Sequence, residues 1–553
     1  MKNKINMLNL VLLILIFAFA ITTPLEAMEY YVDQSHPSAN DQNPGTVAQP
    51  WKTITKANTS LIAGDTVFIK SGTYTSYIAP NNSGTSSKRI TYTNYGTDTV
   101  TVQNASYGIL LDGKSYITVK GINFYNLDAF MYLQNGANYN IIAYCNFDQM
   151  RTYNWGGAKI YFSSSYNWIH HCSFSRWGRC NGTSTQGATL DIGNEESQTD
   201  FSEYNLLEDN TLYRGGHHIL GVWGRFNTIR NNYFYSDGWM SGNRGGRNLF
   251  LNGYSANSGR NLIEGNRLGY AEQDCGAPGA TEAAQISNSY NILRYNAFYY
   301  NDIAGLHFSE TSSYINNANY NQVYNNTFFA NNQNTDPYWN PDAANTAISF
   351  TIYSGSWVIR YNNIKNNLLY RHDQYNGKIY GFMPSNLETY QTFSNNYNGD
   401  ALGDPKFIDA SPAPGDPTNR SYPNLNLQSS SLAINYGTYL TQTKGGGSNS
   451  TTLVVDDAGY FQNGTWAPPG ATQADWIVIG DVSNVVQISS INYSNNTITL
   501  SSPATWTDNA NIWLYKKSDG MQVLFGSAPD AGAYEFSQGE APSPPTNLRI
   551  ISP

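Results

Sequence analysis

The stretch Tyr139-Asn140-Ile141-Ile142-Ala143-Tyr144-Cys145-Asn146-Phe147 decides the fold, because its pattern returns along the chain. The pattern is an aromatic or polar residue, an Asn, a short apolar run, a second Asn or a substitute, and an apolar residue. The lead Asn recurs at spacings of 22 to 38 residues, as Asn140, Asn167, Asn205, Asn227, Asn261, Asn291 and Asn321. Such periods, with short alternating strands, are typical of a β-solenoid.

The repeat therefore predicts an all-β chain wound as a parallel β-helix. The shortest spacing, from Asn205 to Asn227, matches about one turn of three strands, and the longer spacings add loops. Stacked turns pair every strand with the next and bury one continuous core. We expect the lead Asn residues to adopt left-handed turn geometry and to stack along one edge, which favours a structural role over a functional one. Helix content should stay under about 10%.

Further short motifs flank the repeat on both sides. They are Tyr30-Tyr31-Val32-Asp33, Pro50-Trp51-Lys52-Thr53-Ile54, Ala63-Gly64-Asp65-Thr66-Val67, Asp404-Pro405-Lys406-Phe407 and Pro529-Asp530-Ala531-Gly532-Ala533-Tyr534-Glu535. With the repeat, they resemble secreted β-helix proteins of the polysaccharide-lyase type, over about residues 28–440 and 521–536. The resemblance implies the right-handed parallel β-helix of the pectate-lyase-like fold and, as an expectation, action on a polysaccharide.

A small β module is predicted within the C-terminal part of this solenoid. Residues 441–520 contain five short strand-like runs, and Asn495-Asn496 is typical of a hairpin turn. The motifs that close the β-helix lie on both sides of this segment, which makes it an insertion, and residues 521–536 then complete the β-helix. Residues 537–553 are a Pro-rich linker or tail.

The N-terminus predicts export. Lys2 and Lys4 precede an apolar run from Met7 to Ile21, and small residues follow, so residues 1–27 are interpreted as a cleaved signal peptide rather than a membrane anchor. We expect a secreted or extracellular monomer without a membrane span in the mature chain. The formal net charge of -9 argues against nucleic acid as a partner and is compatible with a polysaccharide or a cell-surface glycan.

Four cysteines are too few for a disulfide framework. Cys145 and Cys172 occupy the same repeat position, which predicts buried stacked neighbours, with or without a disulfide. Cys180 and Cys275 lie in predicted loops, where pairing stays open.

A second strand precedes each lead Asn. Strict alternation places its apolar residues inside, namely Ile160, Leu190, Leu220, Leu306 and Ile348. The outer column then contains Lys159, Tyr161, Asp191, His307 and Ser349. His217 shares the outward parity, whereas His218 has the inward parity and is interpreted as a core histidine.

Reactive residues concentrate between positions 151 and 310. A lyase needs a base for the proton α to a uronate carboxylate and a cation or Ca²⁺ that neutralises that carboxylate. We predict Lys159, Arg214 and His217 as base and neutralisers, and Asp191, Glu195 and Glu196 as ligands of Ca²⁺. Substrate contacts are predicted for Trp223, Arg225, Trp239, Arg244, Arg247 and His307. The alternative is that all of these are ordinary solvated side chains.

Other functions stay open at this stage. A glycoside hydrolase on the same fold would use Asp191 with Glu195 or Glu310. A non-catalytic surface, adhesion or carbohydrate-binding protein would need only an aromatic, polar face. No run matches the paired-Asp calcium motif of pectate lyases, and Ser236-Asp237-Gly238-Trp239 is a fragment of it, so no catalytic residue is assigned from the resemblance.

Overall fold

The chain is wound into a parallel β-helix, as the repeat predicts. A computed structural model describes residues 27–151, 157–177, 190–194, 201–216, 218–235, 246–253, 258–271, 282–310, 318–332, 346–352, 359–372, 379–383, 385–411 and 421–537, except the Glu310 side chain. Three long sheets of parallel strands run the length of the solenoid within these ranges. Residues 1–26 of the predicted signal peptide and residues 538–553 of the C-terminal tail lie outside them.

Sheet 1 starts each repeat after the lead Asn. Thirteen strands of the described chain form it: β1 (Glu29–Val32), β2 (Thr66–Ile69), β4 (Ile90–Asn94), β7 (Ile117–Lys120), β10 (Ile141–Ala143), β13 (Trp168–His170), β16 (Leu206–Glu208), β19 (Thr228–Arg230), β22 (Leu262–Glu264), β25 (Ile292–Arg294), β28 (Gln322–Tyr324), β31 (Asn363–Lys365) and β34 (Thr392–Ser394).

Sheet 2 follows after a short turn. Its twelve described strands are β3 (Gly72–Tyr74), β5 (Val100–Gln103), β8 (Asn123–Leu127), β11 (Asn146–Met150), β14 (Ser173–Ser175), β17 (Thr211–Tyr213), β20 (Tyr233–Tyr235), β23 (Arg267–Gly269), β26 (Ala297–Tyr299), β29 (Thr327–Phe329), β32 (Leu368–Tyr370) and β35 (Tyr397–Asn398).

Sheet 3 completes each turn and contains most of the candidate site. Its ten described strands are β6 (Tyr107–Asp112), β9 (Ala129–Gln134), β12 (Ala158–Ile160), β15 (Leu190–Ile192), β18 (His218–Val222), β21 (Arg247–Leu251), β24 (Glu282–Ile286), β27 (Leu306–Glu310), β30 (Ile348–Ile352) and β33 (Tyr380–Met383).

The remaining elements are few. In the described ranges the helices are α1 (Ile54–Ser60), α2 (Gly399–Leu402) and a 3-10 helix (Ser385–Tyr390), in keeping with the low helix content predicted. A two-stranded sheet pairs β36 (Phe407–Asp409) with β37 (Asn424–Leu427). None of the described helices is long and apolar enough to cross a membrane.

The C-terminal module is an antiparallel β unit, which confirms that a small β module lies near the C-terminus. Six strands form its sheet: β38 (Thr441–Gln442), β39 (Gly447–Val454), β40 (Trp476–Ile479), β41 (Asp481–Asn492), β42 (Thr497–Trp506) and β43 (Asn511–Lys516). Asn495-Asn496 lies in the turn between β41 and β42, where the sequence predicts a hairpin.

The lead Asn residues stack as a continuous buried ladder. In each step the backbone N–H and side-chain amide of one Asn donate to the Oδ1 of the next, as Asn140 does to Asn167 at 3.0 Å for both bonds. The ladder continues through Asn205, Asn227, Asn261, Asn291, Asn321 and Asn362. A second ladder joins Asn210, Asn232, Asn266, Asn296, Asn326, Asn367 and Asn396. The predicted stacking is therefore confirmed and occurs twice per turn.

The expectation of left-handed geometry at the lead Asn is wrong. The left-handed residue is the one before it, usually aromatic, as in Tyr139 with φ 58° and Tyr166 with φ 59°. That conformation is costly for a residue with a Cβ. The neighbouring rings stack along the solenoid with centroids 4.8 Å apart, which offsets part of the cost. Because the preceding residue adopts the left-handed conformation, the side-chain amide of the Asn is available for the ladder.

The core fills the interior between the three sheets. Each sheet contributes apolar residues, such as Ile229 from sheet 1, Phe234 from sheet 2 and Leu220 from sheet 3. Cys145 and Cys172 are buried among these residues as free thiols at equivalent positions of successive turns, as the repeat predicts. Cys180 and Cys275 lie outside the described residues.

Two of the three outer faces are covered by the C-terminal part of the chain. The β module packs on sheet 1, where Leu262 and Tyr324 share an apolar cluster with Phe461 and Trp466. The closing segments cover sheet 2, where Tyr299 and Phe329 contact a cluster that includes Leu425 and Ala531. No apolar cluster of the described chain covers the outer face of sheet 3.

The module is also joined to sheet 1 by buried charges. Arg294, which is fully buried, donates through Nε to Glu264 at 2.6 Å and through Nη1 to Asp475 of the module at 2.7 Å. The hydroxyl of Ser518 donates to the other oxygen of Glu264 at 2.6 Å. These ion pairs raise the pKa of Arg294 against the opposing effect of burial, so the guanidinium stays charged.

Candidate functional site

Lys159 and Asp191 lie side by side on the outer face of sheet 3. The register pairs Lys159 of β12 with Asp191 of β15. Their strand neighbours point the other way, since Ile160 and Leu190 belong to the core. The Nζ of Lys159 lies 5.6 Å from the ring centroid of Tyr161, within cation–π range.

His218 lies on the same outer face, next to Asp191. Its Nε2 is 2.8 Å from the Oδ1 of Asp191, and its ring is 5.7 Å from that of Phe250, which also points outward. The interpretation of His218 as a core histidine is therefore wrong. The ring is only 1% exposed, but its partner is an outward carboxylate. His217, which the alternation favoured instead, lies outside the described residues.

The predicted alternation fails because strands β18 and β24 of sheet 3 each contain two consecutive residues that point inward. Ile219 and Leu220 both belong to the core, as do Ala283 and Ala284 three turns from Asp191. The residue before each pair is thereby turned outward, which is the position of His218 and also of Glu282. When strict alternation is applied across two consecutive inward residues, every residue before them is assigned to the wrong face of the sheet.

Asp191 is the centre of a small hydrogen-bonding group. Its Oδ1 accepts from the indole Nε1 of Trp223 at 3.4 Å as well as from His218. An ionised carboxylate is an acceptor only, so Nε2 of His218 is the donor in this hydrogen bond to Asp191. Gly221 leaves the space for this contact, because a Cβ there would lie 2.5 Å from Oδ1 of Asp191.

A second acid–histidine pair lies farther along the same face. The Nδ1 of His307 is 2.6 Å from Oε2 of Glu282, and the Nε of Arg247 is 3.3 Å from the other oxygen, Oε1. The guanidinium of Arg247 also lies over the ring of Phe250, 4.5 Å from its centroid. Glu282 and His307 are each 5% exposed, so these groups interact in a poorly hydrated environment.

Aromatic rings occupy the outer face beside Lys159. Tyr107, Tyr132 and Tyr161 contact each other edge to face, with centroids 5.3 and 5.8 Å apart. Burial, then the neighbouring tyrosines and Asp191, raise the pKa of Tyr132 to about 12. Tyr132 therefore keeps its proton at neutral pH and contributes a hydroxyl and a ring to this face.

Arg214 precedes strand β18 and Arg225 follows it, so neither residue lies on the outer face of that strand. Arg214 follows β17 in a left-handed turn with φ 54° and is buried at the corner that leads into sheet 3. Arg225 follows β18, forms an ion pair with Glu203, and lies 4.4 Å from the ring centroid of Phe201. Arg225 is thus engaged away from Asp191.

Five of the predicted site residues lie outside the described chain: His217, Trp239, Arg244, Glu195 and Glu196. Asp191 is the single member of the predicted calcium set that the structure describes, and its Oδ1 already accepts from His218 and Trp223. No group of three or more His, Cys, Asp or Glu in the described part of the chain is placed to hold a metal ion.

The arrangement places a group suited to proton transfer beside groups suited to charge stabilisation. Lys159 and Arg247 flank the Asp191–His218 pair, one strand before Asp191 and one strand after His218. A carboxylate-oriented imidazole is suited to accept and return a proton, and the two cations are suited to an anionic group. Glu282 was not predicted as a site residue. Its position one repeat after Arg247 could have indicated an ion pair between the two.

The comparisons with known proteins agree with the fold. A family model described as the Pel9A-like, right-handed β-helix region matches residues 30–199, which confirms the predicted right-handed β-helix. Among curated proteins, the uncharacterized protein YwoF of Bacillus subtilis (strain 168) is 35% identical over 99 residues, 16% of this chain. The chain spans only 21% of the length of that relative.

Solved structures with similar chains include two lyases. The chain is similar to pectate lyase Pel9A with 15% identity and a TM-score of 0.42, over 77% of this chain and 95% of that one. It is similar to a rhamnogalacturonan lyase with 16% identity and a TM-score of 0.43, over 73% of this chain and 97% of that one.

Proposed function

We propose that this chain is a secreted polysaccharide lyase that cleaves a uronate-containing glycan on the outer face of sheet 3. The observation that supports the proposal is the Asp191–His218 pair, flanked on one face by Lys159 and Arg247. It is a base oriented by a carboxylate between two cations, which is the set of groups that β-elimination requires.

His218 is the proposed base. With its Nε2 proton held by Asp191, its Nδ1 lone pair removes the C5 proton, α to the uronate carboxylate. The electron pair from the C5–H bond forms the C4–C5 double bond as the C4–O bond breaks. The departing oxygen takes a proton from water, and the imidazolium later returns its proton to solvent.

Lys159 and Arg247 are the proposed neutralisers of the uronate carboxylate. The carboxylate gains charge as the C5 proton leaves, and a cation held nearby stabilises that charge more in the transition state than in the substrate. Calcium would supply the same stabilisation if Asp191 bound it with Glu195 and Glu196. The described contacts of Asp191 favour orientation of His218 instead.

Strand order disfavours one form of the hydrolase alternative. β15 with Asp191 and β27 with Glu310 are four strand spacings apart in sheet 3, about 19 Å. Glycoside hydrolysis needs its two carboxyl groups at most about 9.5 Å apart. The spacing of these two strands therefore argues against such a pair, and Glu195 lies outside the described residues.

Product chemistry tests the proposal. The mature chain is incubated with a panel of uronate polymers, with and without Ca²⁺, and absorbance in the near ultraviolet is followed. A lyase yields an unsaturated uronate that absorbs there, whereas a hydrolase yields reducing ends alone. Binding without either product would show a non-catalytic glycan-binding protein and would overturn the proposal.

A further inference from the structure

The last strands of sheet 3 present a field of buried polar groups on their outer face. Gln285 points outward, because its strand neighbours Ala284 and Ile286 are in the core. Ser349 points the same way between Ile348 and Phe350. The register joins the two through His307, in the order Gln285, His307, Ser349 on three adjacent strands.

A second row runs beside the first. Ser309 is paired with Thr351 in register, two residues after His307 and Ser349 on the same strands. Ser287 directly follows β24, and Asn252 directly follows β21, so both continue this row. Five residues of the two rows are nearly inaccessible to solvent. Their exposed fractions are 4% for Gln285, 1% for Ser287, and 0% for Asn252, Ser309 and Ser349.

One polar atom of each residue has no hydrogen-bond partner among the residues that the structure describes. These atoms are Oε1 of Gln285, Nδ2 of Asn252, and the Oγ of Ser287, Ser309 and Ser349. Buried polar groups are normally satisfied, and leaving one unpaired destabilises the fold. Five on one outward face indicate a surface adapted to a hydrogen-bonding ligand.

We propose that Asn252, Gln285, Ser287, Ser309 and Ser349 form a subsite for a neutral, hydroxyl-bearing sugar unit of the glycan. A sugar hydroxyl both donates and accepts, so it can pair with the Gln285 carbonyl and with serine hydroxyls. A carboxylate only accepts, so it would leave Oε1 of Gln285 facing another acceptor. A site built to bind hydroxyls rejects groups that leave its buried atoms unpaired.

The subsite is separated from the proposed base by a short stretch of glycan. From His218 on β18 to Gln285 on β24 there are two strand spacings, about 10 Å along the solenoid. Arg247 and Phe250 lie on the strand between His218 and Gln285. The inference rests on the proposed function in one respect, the path of the glycan along sheet 3. It specifies a substrate that contains neutral sugar units besides uronates.

Binding measurements test the subsite. Two oligosaccharides of matched length serve as probes, one of uronate units alone and one in which uronates alternate with a neutral hexose. Titration calorimetry with the wild-type chain should show tighter binding of the alternating oligosaccharide. The double variant S309A/S349A should lose about tenfold in affinity for it, because two hydrogen bonds are removed, and should keep its affinity for the all-uronate probe.

Ser394→Ala is the matched control. The Oγ of Ser394 on β34 is also buried without a partner in the described chain, but it belongs to sheet 1. The control should bind both probes as the wild type does. Equal affinity for the two probes, an unchanged S309A/S349A variant, or equal losses for both probes would overturn the subsite.

The two proposals fail separately. If His218→Gln abolishes cleavage but retains the preference for the alternating probe, both stand. If no product ever forms and the preference persists, the lyase proposal falls and the subsite stands. If cleavage occurs without any preference, the subsite falls and the lyase proposal stands.

Discussion

The Nε2 of His218 lies 2.8 Å from the Oδ1 of Asp191, on adjacent strands of sheet 3 that are 27 residues apart in the chain. The contact orients the imidazole of His218 at the outer face. It also joins two neighbouring outward columns of the sheet, since Asp191 belongs to the Lys159 column and His218 to the column of Arg247 and Glu282.

Replacing either partner should stop cleavage without abolishing glycan binding. His218→Gln removes the proposed base, and Asp191→Asn removes its orientation, so each should reduce kcat by about a hundredfold or more. The initial rate of near-ultraviolet absorbance measures this effect, and calorimetry measures binding. His170→Gln on the outer face of sheet 1 is the control. Full activity in His218→Gln would exclude His218 as the base.

Gly221→Ala should inactivate the site without removing any functional group. The added Cβ would lie 2.5 Å from Oδ1 of Asp191 and 2.6 Å from Nε2 of His218, so the two side chains must separate. A displacement of about 1 Å can cost about a hundredfold in rate. The measurement is kcat beside the thermal midpoint. Gly446→Ala, whose Cβ would approach no atom closer than 3.3 Å, should stay active.

Features that repeat locally in the sequence could be predicted, whereas contacts between residues far apart in the chain could not. The Asn ladder was predictable because each Asn140-type position repeats in local context. The place of His218 was not, because the inward pair Ile219-Leu220 interrupts the alternation. The docking of Asp475 onto Arg294 spans 181 residues and follows no repeat, so no local pattern indicates it.

Loss of one ladder rung should destabilise the whole solenoid. Asn266 donates to Ile229 and Asn296 and accepts from the backbone N–H and the amide of Asn232. Asn266→Ala leaves several of these buried groups unpaired, so the free energy of unfolding should fall by about 3 kcal/mol or more. Urea denaturation measures it. Asn424→Ala, at an exposed position, should change stability by less than about 1 kcal/mol.

Arg294 should be essential for attachment of the β module. Arg294→Met leaves the buried carboxylates of Glu264 and Asp475 without their cation, which should cost about 3–5 kcal/mol. Urea denaturation, together with the rate of proteolysis between the module and the solenoid, measures the effect. Lys444→Met breaks an exposed ion pair with Asp456 and should cost less than about 1 kcal/mol. Equal effects of the two variants would contradict the proposed attachment.

The closing segment should make stability depend on pH through Glu535. Burial, and then the nearby charge of Asp530, raise the pKa of Glu535 well above 4.5. The folded chain therefore binds a proton there that the unfolded chain has released, over the range from pH 4.5 up to the raised pKa. The free energy of unfolding must then decrease as pH rises through that range.

Glu535→Gln should remove this dependence. The amide carries no charge at any pH, and its oxygen can still accept from the backbone N–H of Asp530, as Oε1 of Glu535 does at 3.0 Å. Relative to the wild type, the variant should gain stability as pH rises above 4.5. Only the wild type must then keep a proton that the unfolded chain releases, or bury the charge of the carboxylate. Thermal midpoints measured across pH for both chains give the difference. Glu388→Gln, at an exposed position of the 3-10 helix, should follow the wild type throughout. If Glu535→Gln tracks the wild type as closely as that control does, Glu535 ionises in the folded chain as it does in the unfolded one, and burial of its carboxyl does not control the closing segment.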